Sequence, residues 1–351
     1  MNNLNNERTL MNQFVATGAR RGLLRHALGG TLGLGLAGSG SIRHVFAQGS
    51  PAAAWPNRPI RLIVPVGPGG GVDLVGRLIA EQLSKILGQS IFVENIGGGG
   101  GSIGSLATAR APADGHTLMV GYVGTHGTNP ALRKLSYDAL TDFSPIAMVG
   151  GTPNVLVVSP SFPAKDFKEF AALMKSDGDK LSYATSGPGT LTHLIREQLK
   201  GVLNSTAVHV PYKGIGPALI DVLGAQVPMS CPGLAAALPH IKAGKLRPLA
   251  ITGTQRHRLL PQTPTFEELG FRGFDGVQWY GIVGPAKLPP EIVKRLNLEI
   301  NKIITTKETR ERLSAEALEP MPMTPVQFGS FMAQDISRWA KVGVARGIRL
   351  D

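Results

Sequence analysis

The sequence has very little cysteine, few aromatic residues and no long apolar run. Its 351 residues include one cysteine, Cys231, so an intrachain disulfide is excluded and the hydrophobic core must supply the stability. The segment around this cysteine is apolar and strand-like, which favours a buried, unreactive thiol over a nucleophile. No stretch approaches the ~20 apolar residues of a membrane-spanning helix, so a membrane-embedded protein is not expected.

Motifs for metal binding and covalent catalysis are also missing. The eight histidines include no pair at HxxxH or HExxH spacing, and this pattern predicts no metal site. No arrangement of nucleophile, base and acid stands out, so catalytic residues and cofactors are not expected.

The glycine run at 97–104 matches two short motifs that are typical of enzymes. Gly99, Gly101 and Gly104 form a GxGxxG pattern, and Ser102 occupies the centre of GxSxG. The acidic residue expected about 20 positions later in a dinucleotide site is missing, so a nucleotide-dependent enzyme is kept only as an alternative function. Ser102 is interpreted as a helix N-cap.

The charge balance is basic, with 36 Lys and Arg against 24 Asp and Glu and a formal net charge of +12. Removing residues 1–47 deletes five arginines and one glutamate, which lowers the net charge to +8. The cationic residues are scattered and do not alternate with aromatic ones, so a nucleic-acid partner is not expected. Attraction of small anions fits this charge.

Residues 1–47 have the order of parts found in an export signal. Arg20 and Arg21 precede a Gly- and Leu-rich segment of about a dozen residues, and small residues follow before Gln48. The segment ARRGLLR approximates a twin-arginine signal, with the Sec route and a disordered basic tail as alternatives, and either Met1 or Met11 is the start. We expect a soluble periplasmic protein without a lipid anchor, because no cysteine lies near the cleavage region.

From Ile60 onward, short β-branched runs alternate with segments of helical periodicity, which predicts parallel sheets covered by helices. About 300 mature residues exceed what one core usually serves, so two domains are expected. The helical tail at 290–349 is expected to return to the first domain. The chain then forms two α/β lobes that are joined by two crossovers and separated by a cleft. Lobe I is predicted at 55–156 plus 280–351, and lobe II at 157–279.

The loop VPVGPGGGVD (64–73) joins a predicted strand to a predicted helix. Its glycines leave backbone N–H groups unshielded at the helix N-terminus, where the helix dipole favours an anion. The Lys-Ser/Thr ending of a nucleotide P-loop is missing, so a carboxylate is favoured over a triphosphate. A tight turn capped by Asp73 is the alternative.

A second loop of this kind, SGPGT (186–190), follows a predicted strand in lobe II. Ser186 and Thr190 add hydroxyl donors to the same arrangement at a helix terminus. Two loops of this kind, one in each lobe, predict a site that holds an anion between the lobes. His193 lies one turn into the helix, where it either faces the cleft or forms a structural hydrogen bond.

Three polar residues after other strands are further candidates. Thr125 and Asn129 follow a strand of the first lobe and are predicted to donate to a ligand. Tyr212 follows a strand of the second lobe and either lines the cleft or, with Lys213, lies on a solvated turn.

Several longer blocks occur in order from Trp55 to about Asn297, among them WPNRPIRLIVPVGPGGGVD, ADGHTLMVG, YATSGPGTLTHL, HVPYKGIGPALIDVLGAQV and WYGIVGPAKLPPEIVKRLN. Together they resemble the Bug family of periplasmic solute-binding receptors, the TctC-like components of tripartite tricarboxylate transporters. Three positions depart from the family pattern: Gly67 replaces a common proline, Ile96 replaces an arginine, and VPMSCPGL replaces a more acidic segment.

The resemblance implies a type II-like periplasmic-binding-protein (Venus flytrap) fold that closes on a small carboxylated solute and delivers it to membrane permease subunits. A monomer without enzymatic activity is expected, and a sensor that acts through a signalling partner is the alternative. In the family, the two loops hold a carboxylate through backbone amides, hydroxyls and bridging waters. With the candidates identified above, the predicted ligand-binding residues are Val66, Gly67, Gly69, Gly70, Asp73, Thr125, Asn129, Ser186, Gly187, Gly189, Thr190, His193 and Tyr212.

Overall fold

The computed structural model describes residues 55–350, and the predicted export segment, with its alternative starts, lies outside these residues. The described residues form eleven strands: β1 (Ile60–Val64), β2 (Ile91–Asn95), β3 (Thr117–Tyr122), β4 (Phe143–Pro153), β5 (Val155–Val158), β6 (Ser182–Thr185), β7 (Val208–Pro211), β8 (Met229–Ser230), β9 (Arg247–Ile251), β10 (Val277–Pro285) and β11 (Glu319–Pro320).

The same residues form ten α-helices, none of which is both long enough and apolar enough to cross a membrane. The helices are α1 (Gly71–Leu87), α2 (Ser102–Ala109), α3 (Asn129–Leu132), α4 (Phe167–Ser176), α5 (Leu191–Val202), α6 (Ile215–Leu223), α7 (Leu234–Lys242), α8 (Pro290–Thr305), α9 (Lys307–Ala315) and α10 (Pro325–Arg346).

The strands form two sheets, one in each lobe. The six-stranded sheet of lobe I has the order β11-β4-β10-β3-β1-β2, and the five-stranded sheet of lobe II has the order β7-β6-β8-β5-β9. The chain changes sheet between β4 and β5 and returns between β9 and β10. The two-lobed α/β fold predicted from the sequence is confirmed, while the predicted lobe limits at 156/157 and 279/280 stay a proposal.

Both sheets are mixed, so the prediction of parallel sheets is wrong for the strands near the crossovers. In lobe I, β1 pairs in parallel with β2 and β3, but β10 is antiparallel to β3 and β4. In lobe II, β5 is antiparallel to β8 and β9. The direction changes because the chain leaves lobe I along β4 and returns along β10, and the sheet pairs these two strands side by side.

Helix α1 follows the periodicity of its sequence. Val75, Ile79 and Leu83 are buried in the core of lobe I, as expected for one face of an amphipathic helix. The helix ends at Gly88, whose φ of 67° is the left-handed conformation that glycine adopts at low cost. The predicted helix and its stop are therefore confirmed.

The long C-terminal helix α10 packs on both lobes. It contacts β4 and α3 in lobe I and α5 in lobe II. Its Trp339 is 1% exposed and belongs to a hydrophobic cluster that contains residues of both lobes, and its ring lies against Gly276, where a Cβ would come within 2.5 Å of it. One turn earlier, buried Asp335 accepts a 2.8 Å hydrogen bond from Trp279 Nε1. The helical tail therefore holds the two lobes together on one side.

Two interpretations of single residues have opposite outcomes. Cys231 is fully buried, and burial raises its pKa to about 12, so it is the unreactive thiol expected. The N-cap interpretation of Ser102 is wrong. The cap of α2 is Gly101, and the Ser102 hydroxyl instead donates 2.9 Å to the carbonyl oxygen of Gly99.

Candidate functional site

The first-lobe loop, residues 65–70, leads from the carboxyl end of β1 into α1. The first N–H groups of an α-helix have no partner within the helix, so those of Gly70, Gly71 and Val72 are available to an anion. Gly71 leaves no room for a side chain, because a Cβ there would lie 2.6 Å from Tyr280 Oη. The sequence therefore places bare backbone donors at this helix terminus.

Asp73, in the first turn of α1, stabilises this loop. The residue is 4% exposed, and its carboxylate accepts hydrogen bonds from Gly69 N (3.0 Å), from Asn95 Nδ2 (2.9 Å) and from two nitrogens of Arg77 (2.9 and 3.0 Å). Asn95 also donates to the carbonyl oxygen of Val66 at 3.1 Å. Burial raises the pKa of Asp73, but the hydrogen bonds from Arg77, Gly69 and Asn95 outweigh it and lower the pKa to about 2. The charge of Asp73 is thus paired with Arg77, and the remaining hydrogen bonds hold the loop. The predicted ligand contact of Asp73 stays a prediction.

The glycine run at 97–104 packs directly beside the first-lobe loop. A Cβ at Gly97 would lie 3.4 Å from the backbone nitrogen of Gly67, and one at Gly101 would lie 2.6 Å from Thr125 Cγ2 and 3.3 Å from the Pro65 carbonyl oxygen. These glycines serve close packing within lobe I, which accounts for their number without a dinucleotide.

The segment after β3 completes the lobe I side. The Thr125 hydroxyl is fully buried and lies 3.2 Å from both the nitrogen and the oxygen of Tyr122, and 2.9 Å from His126 Nδ1. Asn129 Nδ2 donates to the carbonyl oxygen of Gly100 at 2.8 Å. The Thr125 hydroxyl and the Asn129 amide group therefore fix the glycine run and the strand end, and their ligand contacts stay predictions.

The second-lobe loop, residues 186–190, leads from the carboxyl end of β6 into α5. All four of its backbone N–H groups already have acceptors. Gly187 N donates to Thr185 Oγ1 and Gly189 N donates to His193 Nδ1, both at 3.2 Å. Ser186 N donates to Thr192 Oγ1 at 3.1 Å, and Thr190 N donates to the carbonyl oxygen of Gly187 at 3.4 Å. The Ser186 hydroxyl lies 2.7 Å from Thr192 Oγ1. Gly187 and Gly189 therefore set the path of the loop.

The unpaired backbone N–H groups next to this loop belong to the first turn of α5. Its N-cap, Thr190, gives no side-chain cap, and the Thr190 hydroxyl donates to the carbonyl oxygen of Gly187 at 2.7 Å. The N–H groups of Leu191, Thr192 and His193 therefore have no partner within the helix and form a donor set like that of α1.

A column of stacked rings supports the second-lobe loop from below. The rings of His193 and His209 are 4.1 Å apart at an interplanar angle of 16°, and the ring of Tyr183 stacks on His209 at 5.3 Å. The Arg196 guanidinium lies 5.0 Å from the centroid of Tyr183. His209 Nε2 is 2.6 Å from Thr185 Oγ1, the hydroxyl that accepts from Gly187 N. His193 is thus a structural histidine beneath the loop, one of the two roles considered for it, and its ligand contact stays a prediction.

We expect stability to fall as the pH decreases from about 6.5 to about 4, partly because of this column. Burial, reinforced by the nearby His193, lowers the pKa of His209 to about 4, so the unfolded chain, with a histidine pKa of about 6.5, takes up a proton before the folded protein does. In urea titrations at pH 7, 5.5 and 4, His209→Asn should reduce this loss of unfolding free energy. Part of the loss should remain in the variant, because burial also lowers the pKa of His126, to about 3. Equal pH dependence in the wild type and the variant would contradict the prediction.

Tyr212 is directed toward α6. Its hydroxyl donates to Asp221 Oδ2 at 2.5 Å, and burial together with this carboxylate raises its pKa to about 12. Its backbone nitrogen donates to the carbonyl oxygen of Thr185, which ties the 211–214 turn to the second-lobe loop, and Lys213 is exposed. The ligand contact of Tyr212 stays a prediction.

The second-lobe loop lies against lobe I at one point that the sequence did not indicate. A Cβ at Gly189 would lie 3.3 Å from Leu132 Cδ1 at the end of α3, and it would collide with Leu350 Cδ1. Leu350 N also donates to the carbonyl oxygen of Leu132 at 3.0 Å. These contacts join residues far apart in the sequence, so neither composition nor periodicity carries a signal for them.

Comparison with known proteins gives a consistent result. Residues 75–348 match the family described as "Tripartite tricarboxylate transporter family receptor". The protein BugT of Bordetella pertussis is 35% identical over 305 residues, which cover 85% of this chain and 92% of BugT. A protein of R. palustris solved with adipate is 33% identical, with a TM-score of 0.77 and coverage of 84% of this chain and 99% of that one. MatC from Rhodopseudomonas palustris, solved with bound malate, is 35% identical, with a TM-score of 0.73 and coverage of 82% and 99%.

The family resemblance inferred from the sequence blocks is confirmed by these matches. The alternative of a nucleotide-dependent enzyme is wrong, because the family consists of binding proteins and the glycines of the GxGxxG match pack within lobe I. The chain therefore belongs to the TctC family of tripartite tricarboxylate transporter receptors and is a solute-binding receptor, not an enzyme.

Proposed function

We propose that this protein is a periplasmic receptor that captures a small carboxylated anion between its lobes and delivers it to the membrane permease of a tripartite tricarboxylate transporter. The observation that carries the proposal is the pair of glycine-rich loops. Each follows the carboxyl end of a strand and presents the free N–H groups of a helix N-terminus, one at α1 and one at α5.

The charge of the site supports an anionic ligand. The carboxylate beside the first-lobe loop, that of Asp73 in the first turn of α1, is paired with Arg77, so it offers little repulsion to an anion at Gly70 and Gly71. The dipoles of α1 and α5 add positive potential at both loops. A ligand held by both loops at once stabilises the closed state, because only that state makes both sets of contacts.

The relatives support the chemical class of the ligand and the partner. Two solved relatives hold adipate and malate, which are carboxylates, and the family is named for a tripartite transporter. The predicted export segment at 1–47 supports the periplasm as the site of action.

Thermal unfolding in the presence of candidate ligands tests the proposal. We expect malate, adipate or another small carboxylate to raise the melting temperature, since a ligand at 100 times its Kd stabilises the folded state by about 2.7 kcal/mol. Neutral sugars and cationic amino acids should have no effect. A panel in which only those compounds stabilise the protein would refute the proposal.

The Gly187→Ala variant tests whether the second-lobe loop is part of the site. Gly187 has a φ of 123°, which L residues rarely adopt, and a Cβ there would lie 3.2 Å from the carbonyl oxygen of Tyr212. Backbone strain of about 1–3 kcal/mol should displace the loop and weaken carboxylate binding at least about tenfold in calorimetric titrations. Gly216→Ala is the matched control, because no atom lies within 4 Å of its Cβ position. Equal affinities of the two variants would exclude this loop from the site.

A further inference from the structure

The side chain of Tyr280 reaches the N-terminus of α1. Tyr280 belongs to β10 and is 5% exposed within the hydrophobic core of lobe I. A Cβ at Gly71 would lie 2.6 Å from Tyr280 Oη and 3.1 Å from its Cζ, so the hydroxyl end of the ring lies against the first residue of α1. The N–H groups of Gly70, Gly71 and Val72, which have no partner within the helix, belong to the same turn.

Strand pairing places this hydroxyl at the edge of the sheet from which the first-lobe loop starts. Tyr280 pairs with Tyr122, the last residue of β3, and residues directly opposite each other in an antiparallel pair lie on the same face. Strand β3 runs parallel to β1, so the carboxyl ends of both strands lie at one edge. Ligands of α/β sheets bind outside the carboxyl ends of the strands. Tyr280 is therefore on the side of lobe I where the solute is proposed to bind.

The hydroxyl of Tyr280 differs from those of the other four tyrosines, each of which forms a hydrogen bond. Their partners are the Gly100 carbonyl oxygen for Tyr122, the Thr125 carbonyl oxygen for Tyr137, Glu197 for Tyr183 and Asp221 for Tyr212. Among residues 55–350, the Tyr280 hydroxyl has no hydrogen-bond partner. Buried polar groups nearly always have a partner, so this hydroxyl is available to a ligand at the N-terminus of α1.

The chemistry of this hydroxyl suits a carboxylate. Burial, together with nearby Tyr122, raises the pKa of Tyr280 well above its usual value. The side chain of Gln278 opposes this rise without reaching hydrogen-bonding geometry with Oη. The hydroxyl therefore keeps its proton at neutral pH and is able to donate it. A carboxylate only accepts hydrogen bonds and has about four lone-pair sites, so it can accept from backbone N–H groups and from a hydroxyl at the same time.

We propose that the Tyr280 hydroxyl donates a hydrogen bond to the solute carboxylate that binds at the N-terminus of α1. This inference rests on the proposed function and adds a side chain to it. The backbone N–H groups of α1 and the hydroxyl together form the lobe I half of the site. The side-chain donor comes from a strand about 200 residues further along the chain than the loop, close to the point where the chain returns from lobe II.

Tyr280→Phe tests the inference, because it removes one oxygen and keeps the ring that lies against Gly71. Calorimetric titrations use malate, adipate and any other carboxylate that raises the melting temperature of the wild type. We expect the affinity to fall at least about tenfold, as for the loss of a hydrogen bond to a charged group. The melting temperature of the ligand-free protein should not fall, because no internal hydrogen bond is lost.

Tyr137→Phe is the matched control, since it removes a hydroxyl of the same lobe that donates to the Thr125 carbonyl oxygen at 2.9 Å. This variant should lower the melting temperature of the ligand-free protein, because a buried carbonyl oxygen loses its donor. Its affinity for the carboxylates should stay within about twofold of the wild type, as expected for a substitution that removes no ligand contact.

Gly71→Ala gives a second, independent test. The substitution keeps the backbone N–H but places a methyl group 2.6 Å from Tyr280 Oη, so the hydroxyl has to move away from the N-terminus of α1. It should weaken carboxylate binding in the wild type. In the Tyr280→Phe background it should weaken binding less than about threefold further, because two substitutions that act through the same hydroxyl are not additive.

The outcomes separate this inference from the proposed function. If the wild type and Tyr280→Phe bind the carboxylates equally well, Tyr280 is not a ligand contact, while carboxylate capture stands. If Tyr280→Phe lowers the melting temperature of the ligand-free protein as much as Tyr137→Phe does, or if Gly71→Ala acts equally in both backgrounds, the inference fails. If the wild type binds no carboxylate, the proposed function fails and this inference falls with it.

Discussion

Replacing Trp339 with alanine is expected to lower the free energy of unfolding by about 3–5 kcal/mol, the usual cost of removing a fully buried aromatic side chain. Trp339 is 1% exposed and lies in the hydrophobic cluster that contains residues of both lobes. Its ring fills the space left by Gly276, so neighbouring side chains have little freedom to occupy the cavity. Urea titration at pH 7 gives the change directly.

Val344→Ala is the control for this prediction, because it truncates a side chain of the same helix that is 83% exposed. Its effect should be within about 0.5 kcal/mol, as for most surface substitutions. If Trp339→Ala destabilised the protein no more than Val344→Ala does, the packing of α10 on both lobes would contribute little to stability.

Replacing Asp73 with alanine should cost about 2–4 kcal/mol and weaken solute binding at the same time. The substitution removes the acceptor of the Gly69 amide and of Asn95, and Asn95 in turn holds the carbonyl oxygen of Val66. Because the pKa of Asp73 is about 2, below the ordinary value of 3.8, its carboxylate contributes stability above about pH 4 and loses this contribution as the pH falls through 2. Urea titrations at pH 7 and pH 3 and calorimetry with the solute measure the effects.

Arg77→Ala separates the role of the loop from that of the ion pair. The Arg77 side chain is 56% exposed, so the loss of this ion pair should cost no more than about 1 kcal/mol. The loop would retain the hydrogen bonds from Gly69 and Asn95, and solute binding should change little. If Asp73→Ala and Arg77→Ala destabilised the protein equally, the ion pair with Arg77, and not the hydrogen bonds from Gly69 and Asn95, would account for the contribution of Asp73 to stability.

The elements with strong local signals were predictable from the sequence. Helix α1 has a continuous apolar face and ends at Gly88, so both its period and its stop are visible in the residues. The strands of the βα units are short apolar runs between turn residues. The two loops were found because glycines between a strand and a helix restrict what that turn can do.

The crossover strands and their directions were not predictable in the same way. Strand β4 contains Gly150 and Gly151 and has Pro145 and Pro153 near its ends, so its residues do not read as a strand. A side chain at Gly150 would meet the carbonyl oxygen of Glu319, 2.6 Å away, so this glycine is explained by a partner strand far along the chain. Strand direction depends on such pairings, and the sequence of one strand does not record them.

The supports of the candidate site were hidden for a similar reason. His193 and His209 stack although 16 residues and a strand connection separate them, and their contact depends on how β7 pairs with β6. The role of this stack therefore became visible only from the three-dimensional neighbours of the two rings.

The single buried thiol of Cys231 has a practical consequence for measuring solute capture. Thiol-reactive dyes require an accessible thiolate, which this residue does not offer, so a cysteine introduced elsewhere is expected to be the one labelled. Lys213 is a suitable position because it is exposed on the turn beside the second-lobe loop. A fluorophore attached there would report lobe closure in real time, which would make the protein the basis of an optical biosensor for its solute.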